Sequence, residues 1–240
     1  SGALANCSFL GLLRVHQVCT AAGVGAFGGD LLVTFGLLSM AVAAIFMLGQ
    51  PDFKRMLAYS SVEHMGILAL GVGVGGVAVY GAVLHAIANS LSKGMLFFLA
   101  GNTIAAYRTR NSADVRGMLR ALPVTGTLWV VGLLAITGSP PFGSFLSEFT
   151  ILKGVLDQGR PWTAVGYLGF LAVIFVAMAT PVLRMAQTPA PAGAEKPPSE
   201  PWLAVVPPAV LGALVLALGV WIPPAMDQAL REIARALGGP

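Results

Sequence analysis

Apolar residues run through this chain in long stretches, and the polar residues between them are few and clustered. A helix needs about 20 mainly apolar residues to cross a bilayer. At that length the pattern predicts an all-α integral membrane protein with about seven transmembrane helices. They are expected at 4–19, 31–49, 57–77, 79–107, 123–158, 163–185 and 202–222. The first is short, and the chain opens on Ser1 directly into apolar sequence, so an upstream segment is expected. The glycine-rich stretch 23–30 reads as a loop. Pro51 to Arg55 reads as a charged surface turn. Residues 187–201 read as a polar linker rich in Pro and Ala, and an amphipathic tail follows the last helix to Leu237.

The fifth stretch is too long for one crossing and is punctuated by Gly138-Ser-Pro-Pro-Phe-Gly. Proline removes a backbone donor and disfavours helix at the residue before it. Irregular backbone survives at membrane depth only where protein or a water-filled cavity surrounds it. Pro140–Pro141 therefore predicts two half-helices meeting inside the membrane, with Glu148 early in the second.

The fourth stretch carries His85, Asn89 and Lys93 at spacings of four. Each step of four drifts by about 40° around a helix, so the three share one stripe rising roughly 12 Å. A polar stripe in a membrane helix has two readings, hydrogen-bonded glue between helices or part of a proton or ion path. Lysine is an expensive choice for glue alone.

Composition adds that only 10% of residues are charged, against about 25% in soluble domains. The net charge of +4 is small, and the basic residues lie between apolar runs. They read as topology signals rather than a nucleic-acid surface. One set of alternate loops receives Lys54, Arg55, Arg108, Arg110, Arg116, Arg120, Arg184 and Lys196. The other receives Arg160, Arg231 and Arg235, with Lys153 near it. The excess marks the first side as cytoplasmic. Cys7 and Cys19 fit no metal spacing and no disulfide framework.

Glu63, His64, His85, Lys93 and Glu148 are the ionisable residues at expected membrane depth. Lysine and glutamate taken out of water exchange protons nearer neutral pH than at a surface, and histidine ordinarily titrates there. The set suits proton relay through water chains. No Ser-His-Asp arrangement, nucleophile elbow, P-loop or dinucleotide fingerprint is visible. Each residue also has a plainer reading. Glu63-His64 would be a local ion pair near a helix end, His16 with Arg14 an interfacial anchor, Lys54 and Arg55 solvated topology charges, and Glu148 a cap. A capping glutamate belongs in the first turn, however, and Glu148 lies beyond it.

Three ordered motifs carry a resemblance. Asp52-Phe-Lys-Arg-Met-Leu-Ala-Tyr-Ser-Ser-Val-Glu-His-Met-Gly, the His85-to-Lys93 helix, and Gly138-Ser-Pro-Pro-Phe-Gly-Ser-Phe-Leu-Ser-Glu-Phe resemble the antiporter-like subunits of respiratory complex I. Such subunits also occur in membrane-bound hydrogenases and multisubunit cation/proton antiporters. Glu-His with Pro-Pro-Phe-Gly looks most like the F-type subunits of hydrogenase-4. The resemblance implies an antiporter-like inverted-repeat fold. Residues 1–186 would form the membrane domain, with part of a first repeat to about 20 and a second repeat at about 31–186. Residues 187–201 would be a linker, and 202–240 the final helix and tail.

It further implies proton-path roles for Lys93, His85 and Glu148. Asn89 stands where many relatives have a second histidine, and Asn6 where many have the first-repeat lysine. Asn cannot titrate, so both steps would rest on water or on Glu63-His64. The implied function is proton translocation as a subunit of a complex I-like oxidoreductase or membrane-bound hydrogenase, multi-pass in a bacterial or archaeal plasma membrane. The implied partners are other membrane and peripheral subunits, which would carry the redox centres; this chain has no ligand set for any cofactor. The alternatives are a cation/proton antiporter subunit without a redox partner, and a structural membrane module.

Overall fold

The computed structural model describes residues 3–189 and 200–237. Among them the chain is helical: α1 (Ala3–Ala21), α2 (Gly25–Met47), α3 (Phe53–Val74), α4 (Val77–Tyr107), α5 (Met118–Ala121), α6 (Pro123–Ile136), α7 (Gly143–Asp157), α8 (Pro161–Gln187), α9 (Trp202–Val220) and α10 (Pro224–Ala236). Helices α2, α3, α4, α8 and α9 are each long and apolar enough to cross a membrane, and α6 is a shorter apolar helix. The expected fifth crossing is two pieces, α6 and α7, separated at 137–142 around Pro140–Pro141. Most of the expected linker, including Lys196, lies outside the described residues.

Three expectations are corrected. Most of the stretch 23–30 is helical, because α2 begins at Gly25. Gly23, at φ +81°, stays in the turn before α2, while the glycines within α2 serve close packing. A Cβ on Gly29 would come within 2.8 Å of the Gly73 carbonyl oxygen, and one on Gly36 within 2.7 Å of that of Gly66. Small residues let membrane helices approach this closely, so α2 and α3 pack backbone to backbone. The supposed turn at 51–55 is the start of α3. Asp52 caps it by accepting the Arg55 N–H at 2.9 Å, and Phe53 is fully buried. This start is pinned to the loop after α4: the Phe53 N–H donates to the Arg110 carbonyl at 3.1 Å, and the Ser112 N–H to that of Pro51 at 2.8 Å. Glu63-His64, expected near a helix end, sits in the middle of α3.

Helix α4 is the centre of the bundle. It packs against α3, α6, α7, α9 and α10. Towards its C-terminal end it shares a core with Phe53, Leu57, Trp129 and Met178, and Trp129 donates its indole N–H to the Thr103 hydroxyl at 2.9 Å. Towards the other end α2, α3, α7 and α8 close a second core around Met40, Ile67, Ile151 and Tyr167. Large apolar side chains on the outer faces of α1, α2, α8 and α9 are exposed. That inversion is expected where the surroundings are lipid or other membrane subunits.

Candidate functional site

All six polar residues singled out in the sequence are buried: Glu63, His64, His85, Asn89, Lys93 and Glu148. Spacing puts His85, Asn89 and Lys93 on one face of α4. Glu63 and His64 arrive from α3, and Glu148 from α7. The three helices thus bring their few ionisable groups to one interior.

Lys93 is held by α3. Its ammonium donates to the Leu57 carbonyl at 2.8 Å and to the Ser60 hydroxyl. Glu63 lies within electrostatic reach of it. The two are not a direct ion pair; among the described residues the ion pairs are Lys153–Asp157, Arg160–Asp30 and Arg231–Asp227. The direct acceptors of Lys93 are thus neutral, and no salt bridge fixes it.

The histidines form a chain. His64 Nδ1 and His85 Nε2 are 2.9 Å apart, and His85 Nδ1 is 2.9 Å from Ser147 Oγ. Ser147 donates its own hydroxyl proton to the Ser144 carbonyl at 2.7 Å, so with neutral rings it accepts from His85 Nδ1–H. His85 Nε2 is then the acceptor, His64 Nδ1–H the donor, and His64 Nε2 carries a free lone pair. That nitrogen is buried and has no protein partner. A proton arriving there can pass across the His64–His85 bond and leave toward Ser147 from His85 Nδ1, one proton in and one out.

Glu148 is the sixth residue of α7, beyond its first turn. Its carboxylate rests on the break: a Cβ on Gly138 would collide with both carboxylate oxygens. Gly138 also has φ +62°, in the left-handed region that glycine adopts without strain. The break therefore does two things at once, ending α6 and leaving room for an acidic group. Glu148 and Glu63 are within electrostatic reach of each other.

Six buried polar atoms here have no protein partner: His64 Nε2, Asn89 Nδ2 and Oδ1, Ser144 Oγ, Glu148 Oε1 and Tyr167 OH. An unsatisfied buried polar group costs about 1–3 kcal/mol. Six would together rival the whole stability of a small domain, about 5–15 kcal/mol. Internal water is the economical partner for such groups. Asn89, with its whole amide unpartnered between His85 and Lys93, is placed to hold water rather than a helix neighbour.

Sequence reasoning missed Ser60, Ser144, Ser147 and Tyr167, and placed Gly138 at the break without its contact to Glu148. The serines carried a weak signal, since Ser144, Ser147 and Glu148 fall on one helical face at i, i+3 and i+4. Asn6 is not connected to this set; it donates to Ser90 at 2.7 Å. His16 packs against Gly28 instead, and Arg14 donates to Gln17 at the surface. Among the described residues no group of three or more His, Cys, Asp or Glu could hold a metal ion.

A profile of the NADH:quinone oxidoreductase/Mrp antiporter transmembrane family matches residues 1–175. The chain is 34% identical over 227 residues to a hydrogenase-4 component F homolog of Methylacidiphilum infernorum, covering 93% of this chain and 46% of that protein. It is 34% identical over 221 residues to NADH-quinone oxidoreductase subunit N of Desulforudis audaxviator, covering 86% of this chain and 44% of that one. It thus spans about half the length of the curated relatives it matches. Among solved structures, a chain of respiratory complex I from Thermus thermophilus superposes with a TM-score of 0.79 at 28% identity, over 90% of this chain and 46% of that one. A chain of the Mrp complex from a Dietzia species superposes at 0.75 with 19% identity, over 89% and 49%, a likeness of fold.

Proposed function

The chain belongs to the NADH:quinone oxidoreductase/Mrp antiporter transmembrane family, and from that premise we propose that it is a proton-translocating membrane subunit of a complex I-like oxidoreductase or membrane-bound hydrogenase. It is a multi-pass protein of the plasma membrane, partnered by other membrane subunits and by peripheral subunits that carry the redox centres. Residues 31–186 act as the second of two repeats, and α9 with α10 as the closing helix and tail. The names of its relatives support the reading as a membrane subunit of such a complex.

One observation carries the mechanism: His64, His85 and Ser147 form a buried hydrogen-bonded run across α3, α4 and α7, with buried Lys93 held by α3 and buried Glu148 resting on the helix break. Lys93, with Glu63 nearby, is the charge-gating centre. Asn89 and internal water join it to His64 and His85. Ser147 takes the line to α7, and Glu148 at the break is the terminal group. A redox event in a partner subunit would shift the Lys93–Glu63 balance electrostatically and drive the proton along. A packing role explains neither the free His64 nitrogen nor the unpartnered Glu148 oxygen. The family also includes Mrp antiporters, so exchange of a cation against protons without a redox partner is the second reading. Neighbouring genes for hydrogenase subunits or for antiporter subunits separate the two.

The test is proton uptake by vesicles, normalised to assembled complex. Lys93→Ala and Glu148→Gln abolish pumping and leave assembly intact. Lys93→Arg also fails, because arginine keeps its proton at any accessible pH. Normal pumping by Lys93→Arg and Glu148→Gln would defeat the relay and leave packing as the role of these residues.

A further inference from the structure

A cavity of about 300 Å³ lies between the helix break, α7 and α8. Its lining is apolar apart from Glu148 of α7, Tyr167 of α8 and Thr137 just after α6. Its outer rim is aromatic, formed by Phe145, Phe149 and Phe175, all exposed. Tyr167 is fully buried, and its hydroxyl has no protein partner. Buried tyrosine hydroxyls normally find one. The carboxyl groups within electrostatic reach of this ring are Glu148 and Glu63. Helix α8 contributes no other ionisable group to the interior among the described residues; Arg184 is at its far end.

We infer that Tyr167 is a positioning residue for the terminal proton step, its hydroxyl ordering water in this cavity against the carboxyl of Glu148. The inference rests on the relay proposed above. A phenol both donates and accepts one hydrogen bond at a fixed ring position. It can therefore hold a water against a protonated carboxyl and accept a bond from that water when the carboxyl is ionised. No bond to the ring changes; the proton leaves Glu148 to the water, and the phenol keeps its own. The cavity is large enough for several waters, at about 30 Å³ of liquid each. The buried body of the ring, packed with Met40, Ile67, Ile151 and Ala164, fixes where the hydroxyl sits. Thr137 gives its hydroxyl proton to the Leu133 carbonyl at 2.8 Å, so Tyr167 and Glu148 bring to this lining the polar atoms without a protein partner on which water can organise.

The experiment uses Tyr167→Phe in the assembled complex, which keeps the ring and removes the hydroxyl, beside Glu148→Gln. Two quantities are read: proton uptake per assembled complex, and the infrared C=O stretch of the protonated Glu148 carboxyl, identified by its loss in Glu148→Gln. The expected result is about a tenfold fall in uptake for Tyr167→Phe together with a shifted carboxyl band. If the tyrosine only packs, Tyr167→Phe leaves both unchanged, and that result overturns the inference while Glu148→Gln stays inactive. Normal pumping by Glu148→Gln would instead overturn the relay itself, and this inference with it. Should Tyr167→Phe assemble poorly, the infrared band of the assembled fraction still decides: an unshifted band rejects the role.

Discussion

At the scale of single residues, the site depends on absences as much as on charged groups. Gly138 is the sharpest case. Its φ of +62° is one that side-chain-bearing residues adopt at a cost, roughly 1–2 kcal/mol. The missing Cβ also leaves the space that the Glu148 carboxylate fills. The two effects can be separated with a second glycine. Gly49 has a similar φ of +71° and nothing within 4 Å of where a Cβ would be. Gly49→Ala therefore carries backbone strain alone, whereas Gly138→Ala also displaces Glu148. The expected outcome is near-normal pumping for Gly49→Ala and at least a tenfold loss for Gly138→Ala at equal assembly. Equal pumping by the two variants would mean that Glu148 does not depend on the break for its position.

At the scale of elements, the helices were legible because apolar length is a direct consequence of bilayer thickness, and the break because Pro140–Pro141 cannot continue a helix. The stripe on α4 was legible because spacing of four maps onto one face. What was not legible came from contacts between helices. The glycines at 25, 28 and 29 look like loop in isolation, yet they line close contacts of α2, Gly25 and Gly28 with α1 at Thr20 and His16, and Gly29 with α3 at Gly73. Nothing local in Leu57 or Ser60 says that they receive the Lys93 ammonium from thirty-odd residues away. Tyr167 read as one more aromatic in an apolar helix.

The amphipathic tail was legible as α10, but its seat was not. Leu230 and Ala234 are buried. Asp227 accepts the Tyr80 hydroxyl at 2.7 Å and the Arg231 Nε–H at 2.8 Å, and the Arg231 guanidinium lies 5.6 Å from the centre of the Tyr80 ring. The Arg231 bond, then that from Tyr80, holds the Asp227 carboxyl below its ordinary value of 3.8. A carboxyl depressed in the folded state stabilises above its unfolded pKa and loses that contribution as pH falls through the folded one. The docking of α10 is therefore expected to be constant from neutral pH down to about 4 and to weaken only in stronger acid. Asp227→Asn should loosen α10 already at pH 7, seen as faster amide hydrogen exchange over Pro224–Ala236. Unchanged exchange in that variant would show that burial of Leu230 and Ala234 alone seats the helix.

At the scale of the whole molecule, the question is which end of the bundle faces the cytoplasm. The starts of α3, α6 and α9 and the ends of α2, α4 and α8 share one end. That end carries Lys54, Arg55, Arg108, Arg110, Arg116, Arg120 and Arg184. The opposite end carries Arg160, Arg231 and Arg235, with Lys153 beside them, and Arg14, whose neighbour Gln17 bonds to the last turn of α10. Basic excess in short loops marks the cytoplasmic side, so the loop from Arg108 to Arg120 is expected there. Ser112, the natural probe at its centre, is unsuitable, because it is only 7% exposed and tied through its N–H to Pro51. Asp114 is exposed on the same loop, and Asp157 at the opposite end. Both native cysteines are free, so the background is Cys7→Ser with Cys19→Ser. In it, Asp114→Cys should react with a membrane-impermeant thiol reagent only in inside-out vesicles, and Asp157→Cys only in intact cells. The paired probes make the result independent of reagent access at either site alone. Reversal of both would invert the orientation and with it the direction of the proton transfer proposed for Lys93, His64, His85 and Glu148.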